Sequence, residues 1–260
     1  MIAGQLQFYI LWDLIEYLHR EEDYVAWYPM FKAMEYVYGT HRVWENMEGY
    51  ITTRVRYILR ALLERIKYEE IDDTDQLTIC LRQEAARWAC FLDDLNCKEV
   101  ANRKLEHHLL DPTKHKLLPW WKKWTYCKGL MIATNETWQS VYNIGLNKFD
   151  TKFLEYLACT EDTVMIRNYL TYKNITHREY HYHLNSFLPI ITKHATNPTI
   201  LSCILDIFLD IKPKYVDITV AFTVIINNIY TVNLFQVKIL HVYICMCTNR
   251  ENNATLTIII

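Results

Sequence analysis

The sequence points to an all-α protein on three grounds. Apolar residues recur at helical spacing: Val55, Ile58, Leu62 and Ile66 step by three and four, and Leu77, Leu81, Ala85, Trp88 and Leu92 step by four, four, three and four. Each set shares one face of a helix. Glycine and proline are scarce, at five and six in 260 residues, where average usage gives roughly 18 glycines. Sheet-rich folds and phosphate-cradling loops need glycine for turns and close backbone approach. The apolar stretches also start at residues able to satisfy free helix N–H groups.

Taken in order, helices are expected at about 5–20, 24–38 and 43–68, with Gly39 as a stop after Tyr38. The next are expected at about 75–95, 98–110, 119–132, 136–147 and 151–159. Thr160 precedes Glu161 and Asp162, acids well placed for the dipole of a helix at about 162–172. Another is expected at about 178–195. Asn197 followed by Pro198 offers a cap and a proline at the first position of a helix at about 199–211. Pro213 opens a last one at about 214–230 in the same way. The connections are short, which makes neighbours antiparallel. A dozen such helices predict an irregular HEAT/armadillo-like solenoid of antiparallel helix pairs, without a clear sequence repeat.

Residues 1–236 are read as one helical domain and 237–260 as a divergent tail. Val237–Cys247 is a mixed apolar run, Glu251-Asn252-Asn253 is polar, and the chain ends in three isoleucines. This tail is expected to be dispensable or disordered; a gene model read past an exon end would explain it.

The net charge is −2, with both signs spread along the chain, unlike the basic footprint of nucleic-acid binders. Eight cysteines and the sequons at Asn135, Asn174 and Asn253 suit an oxidising, extracellular setting. Met1–Leu18 lacks a basic n-region, and its apolar run from Phe8 to Trp12 ends at Asp13, so it does not read as a signal peptide. No stretch reaches about 20 apolar residues, so no membrane insertion is expected. A chain suited to an oxidising compartment without an entry signal reads as part of something longer.

Cys90 and Cys97 are seven residues apart. On one continuous helix they would be about 10 Å apart, beyond the ~7 Å Cα reach of a bridge. A bridge therefore needs the helix to end between them, and Asp93-Asp94-Leu95-Asn96 is a suitable turn. The spacing leaves that bridge and two buried thiols equally open. Cys127 and Cys159 would close a longer loop, with connectivity that sequence alone does not fix.

Several segments carry a family resemblance. Arg87-Trp88-Ala89-Cys90 followed by Cys97, Tyr126-Cys127-Lys128-Gly129, Leu157-Ala158-Cys159-Thr160, Trp27-Tyr28-Pro29-Met30-Phe31-Lys32-Ala33 and Asp150-Thr151-Lys152-Phe153-Leu154 occur in order over about residues 6–232. Together they resemble the C-terminal helical domain of the gluzincin zinc aminopeptidases, above all insect aminopeptidase N-like proteins. The resemblance implies two disulfides, Cys90–Cys97 and Cys127–Cys159. It also implies a concave lid over a peptide-filled chamber, and an extracellular or cell-surface location. The implied partners are peptides and the aminopeptidase catalytic domain of a full-length protein. Two departures stand out. His181 lies where the family often has aspartate three residues after an arginine such as Arg178, and the tail matches nothing in the family.

The family's zinc is held by His-Glu-x-x-His with a downstream glutamate, and a Gly-Ala-Met-Glu-Asn-type motif binds the substrate amine. Neither occurs in this sequence, so no catalytic, metal-binding or cofactor-binding residue is expected, and zinc belongs to the full-length family. His177 and His181 share a helical spacing, but Glu179 points elsewhere and no third ligand follows, which favours a surface or cap role. His181/His183, His107/His108 and Cys245/Cys247 are weaker still as metal pairs. Lys114–Trp124 interleaves basic and aromatic residues as single-strand binders do. The family parallel instead makes it a helix with inward tryptophans and wet lysines. The leading expectation is the lid domain of an aminopeptidase whose reaction removes N-terminal residues from peptides. The alternative is a stand-alone, non-catalytic peptide- or protein-binding module.

Overall fold

Helical spacing of apolar residues, few backbone breakers and well-placed caps lead to helices throughout. A computed structural model of the chain describes residues 16–39, 48–69, 75–171, 185–195, 197–211 and 216–228. Among the described residues there is no strand, and the fold is all-α. After a 3-10 turn at Glu16–Arg20 come α1 (Tyr24–Gly39), α2 (Glu48–Ile66), α3 (Gln76–Phe91), α4 (Leu95–Leu110) and α5 (Pro119–Leu130). Then follow α6 (Asn135–Lys148), α7 (Lys152–Leu157), α8 (Thr163–Thr171), α9 (Phe187–His194), α10 (Pro198–Asp206), α11 (Phe208–Ile211) and α12 (Ile218–Asn228). The helices sort into two compact units, Met1–Gly129 and Leu130–Ile260.

In the first unit α3 packs against α1, α2 and α4, and α2 also packs on the 3-10 turn. The core joins Trp27, Phe31, Val55, Leu62, Leu81 and Trp88 with Trp121 and Trp124. The predicted face of α2 is buried at Val55, Ile58 and Leu62. That of α3 is buried from Leu81 onward, while Leu77 in its first turn is exposed. In the second unit α7 packs on α6, and α9 packs on α7, α10 and α12. Trp138 is buried there, its indole N–H donating to the Leu157 carbonyl at 3.2 Å with its ring 4.9 Å from that of Tyr169.

Several boundaries differ from expectation, each for a local reason. The helix expected over 75–95 ends at Phe91 and the next begins at Leu95 rather than 98. Asp93 takes a left-handed turn (φ 64), the Asp94 N–H bonds back to the Ala89 carbonyl at 3.0 Å, and the Asp94 carboxylate then caps α4 by accepting from the Cys97 N–H at 2.9 Å. Such a turn satisfies the orphan groups of both helix ends. The cap of α8 is Asp162, which accepts from the Val164 and Met165 N–H groups. Thr160 instead accepts from the Asp162 N–H. Asn197 caps α10 as expected, accepting from Thr199 and Ile200 ahead of Pro198. The span expected as 199–211 is broken at Ile207 into α10 and α11. Asp217 caps α12 through the Thr219 N–H at 2.7 Å; Pro213 lies outside the described residues. The helix expected over 178–195 is helical from Phe187, and the one expected over 5–20 is described only as the 3-10 turn. The tail 237–260 lies outside the described residues.

Candidate functional site

The corner between α3 and α4 concentrates the residues singled out by sequence. Cys90 and Cys97 are joined by a disulfide with their Cα atoms 5.3 Å apart, and both are fully buried. Around the bridge the chain reversal is held by charge. Asp94 is 2% exposed, and its Oδ2 accepts from Arg60 Nε at 3.1 Å and from a terminal Arg60 nitrogen at 2.6 Å. Two charge-assisted hydrogen bonds from one guanidinium to that oxygen help to offset the hydration a buried carboxylate loses. Asp94 in turn raises the Arg60 pKa through that hydrogen bond. Arg56 donates to the carbonyls of Leu92 and Asp93, and Lys98 pairs with Asp93. Burial pushes the nearby Tyr68 hydroxyl upward, with the Asp94 charge adding to it. The indole N–H of Trp124 donates to the Ala86 carbonyl at 3.2 Å, tying α5 to α3. This corner is a rigid clasp. It presents no nucleophile or free base to a substrate.

Removing the clasp's covalent part gives a direct prediction. The double variant Cys90→Ala/Cys97→Ala should lose about 2.5 kcal/mol of stability, the chain-entropy value for so short a loop. Urea unfolding measures it, and peptide mapping without reduction should recover the 90–97 linkage. Free thiols at both positions in secreted protein would refute the bridge.

Cys127 and Cys159 are each engaged in a disulfide and buried. Cys80 and Cys203 are free thiols. Asn135 is the exposed first residue of α6, with Thr134 capping the helix through the Thr137 N–H. Asn174 and Asn253 lie outside the described residues, as do His177, His181, His183, Cys245 and Cys247.

His107 and His108 close α4. The His107 ring lies 5.1 Å from that of His115, and His108 Nδ1 lies 2.9 Å from the His115 carbonyl. They fasten a loop. Among the described residues no group of three or more His, Cys, Asp or Glu side chains converges to hold a metal ion, so zinc finds no fitting ligand set there. No helix among the described residues is long and apolar enough to cross a membrane.

Two features escaped sequence reasoning. His194 is 4% exposed, with Nε2 2.6 Å from the Ala158 carbonyl. The signal was present, since Phe187, Ile190, Ile191 and His194 fall on one apolar stripe. Trp120 is exposed, whereas Trp121 and Trp124 are buried. The inward-tryptophan expectation therefore holds for two of the three, because adjacent helical positions lie about 100° apart.

Comparison with known proteins gives this helical chain a family. A model of the ERAP1-like C-terminal domain matches residues 1–206. Aminopeptidase N of the dog, Canis lupus familiaris, is 21% identical over 164 residues, covering 60% of this chain and 17% of that protein. The matched region thus spans about a sixth of the relative's length. The all-helical fold and the match over residues 1–206 agree, and the chain belongs to the ERAP1-like C-terminal domain family.

Proposed function

We propose that this chain is the lid of the substrate chamber in an aminopeptidase N-like zinc metalloprotease. Its helices stack as an irregular HEAT/armadillo-like solenoid whose concave face limits access to peptides and positions their distal ends. The catalytic domain supplies the zinc and the hydrolysis of the N-terminal peptide bond. The match to the family over residues 1–206 carries this reading. A disulfide-clasped corner suits a lid that works in an extracellular or cell-surface setting, where bridges persist. Cys127 pairs with Cys159 in this proposal, and residues 1–236 form the domain.

The chain alone is expected to release nothing from aminoacyl reporter substrates, with or without added zinc. Metal-dependent turnover that disappears in His177→Ala or His181→Ala would overturn this. The natural transcript tests the lid itself. Joined to an upstream His-Glu-x-x-His exon, this segment is the lid. Natural expression as the short chain alone would refute that and leave a stand-alone binding module.

A further inference from the structure

The loop between α4 and α5 combines charge and apolar exposure in a way that the clasp and the core do not use. From Leu110 to Trp124 there are four lysines and one aspartate, in a chain whose net charge is −2. Lys114, Lys116, Lys122 and Lys123 are all exposed. The single acid, Asp111, is occupied. Its Oδ1 accepts from the N–H groups of Thr113 and Lys114 and from the Thr113 hydroxyl.

The same segment carries apolar side chains with exposed surface. Leu110 is 83% exposed, Trp120 47% and Leu118 37%. The loop is held in place: the His115 N–H donates to the Asp111 carbonyl at 2.9 Å, the His115 ring lies against His107, and the Trp121 N–H donates to the Leu118 carbonyl. Exposed lysines, leucines and a tryptophan therefore follow one another along a single ordered segment.

We propose that this segment, Leu110 to Lys123, docks on an anionic phospholipid surface. The lysines meet lipid phosphates and carboxylates, while Trp120, Leu110 and Leu118 enter the headgroup boundary, where tryptophan is favoured. A soluble polyanion would satisfy the lysines but leave the apolar side chains in water, which is why lipid is the better occupant. The contact is peripheral and spans nothing.

The test is co-sedimentation of the 260-residue chain with phosphatidylserine/phosphatidylcholine vesicles and with pure phosphatidylcholine vesicles. Binding is expected only to the former, and it should weaken as salt rises. Each lysine neutralised should lower partitioning about fivefold, so K114Q/K116Q/K123Q should lower it about a hundredfold. Leu110→Ser should also weaken binding while the thermal transition stays in place. Equal binding to both vesicle types, absence of binding, or undiminished binding by the triple variant would overturn the proposal. So would retention on heparin without vesicle binding.

Discussion

Replacing Gly129 with leucine is expected to destabilise the protein by about 3 kcal/mol, the upper range for overpacking a core. Gly129 lies near the end of α5, where the helix comes up against α4. A Cβ built on it would meet the Ala101 carbonyl oxygen at 2.8 Å, the Leu105 Cβ at 3.0 Å and the Ala101 carbonyl carbon at 3.1 Å. Two of those three atoms are backbone, so no rotamer change relieves the contact. The Gly129 carbonyl also accepts from Asn102 Nδ2 at 3.1 Å, a second tie between α5 and α4. Alanine gains about 1 kcal/mol of helix propensity over glycine and should still lose stability, though less than leucine. Gly49 supplies the control, since nothing lies within 4 Å of its Cβ position. Gly49→Ala should be neutral or stabilising in the same urea titration. A stabilised Gly129→Ala would mean that α4 and α5 are not in close approach.

That glycine also marks what the sequence revealed and what it did not. Tyr126-Cys127-Lys128-Gly129 carried part of the family resemblance, but why a glycine stands there depends on Ala101, 28 positions earlier, and no local pattern encodes it. The faces of α2 and α3 were legible because burial there follows the helical period. The turn at Asp93-Asp94 was legible only as the break that a Cys90–Cys97 bridge would need, and the spacing left that bridge open. Its role as a clasp was not, because Arg60 reaches Asp94 from 34 residues away. Caps were legible where side chain and proline coincide, as at Asn197-Pro198. At α8 the sequence marked Asp162 only as an acid placed for the helix dipole, whereas its carboxylate is the cap itself. The three tryptophans of α5 read alike in sequence, and only packing separates Trp120 from its neighbours.

Acidification between pH 6.5 and pH 4 is expected to remove about 3 kcal/mol of stability through His194 alone. The ring ends α9 on its buried stripe, beside Ile190 and Ile191, and is almost wholly out of water. Its pKa is pushed down to about 4, chiefly by burial and also by the adjacent Lys193 charge, against the opposing effect of hydrogen bonds to the Ala158 and Thr160 backbone. The unfolded chain takes up the proton near pH 6.5, its ordinary value, and the native protein does so only near pH 4. The neutral ring's contribution is therefore complete above pH 6.5 and is lost as the pH falls toward 4. Glu35, Asp75, Asp111 and Glu136 have pKa values lowered from ordinary carboxylate values, so their own losses come at more acid pH. Urea unfolding at pH 7.5 and at pH 4.5 separates the two effects. His194→Gln keeps a hydrogen-bonding side chain but cannot take up a proton, and it should flatten the pH dependence across this window. An equally steep loss in that variant would show that His194 is not the group responsible.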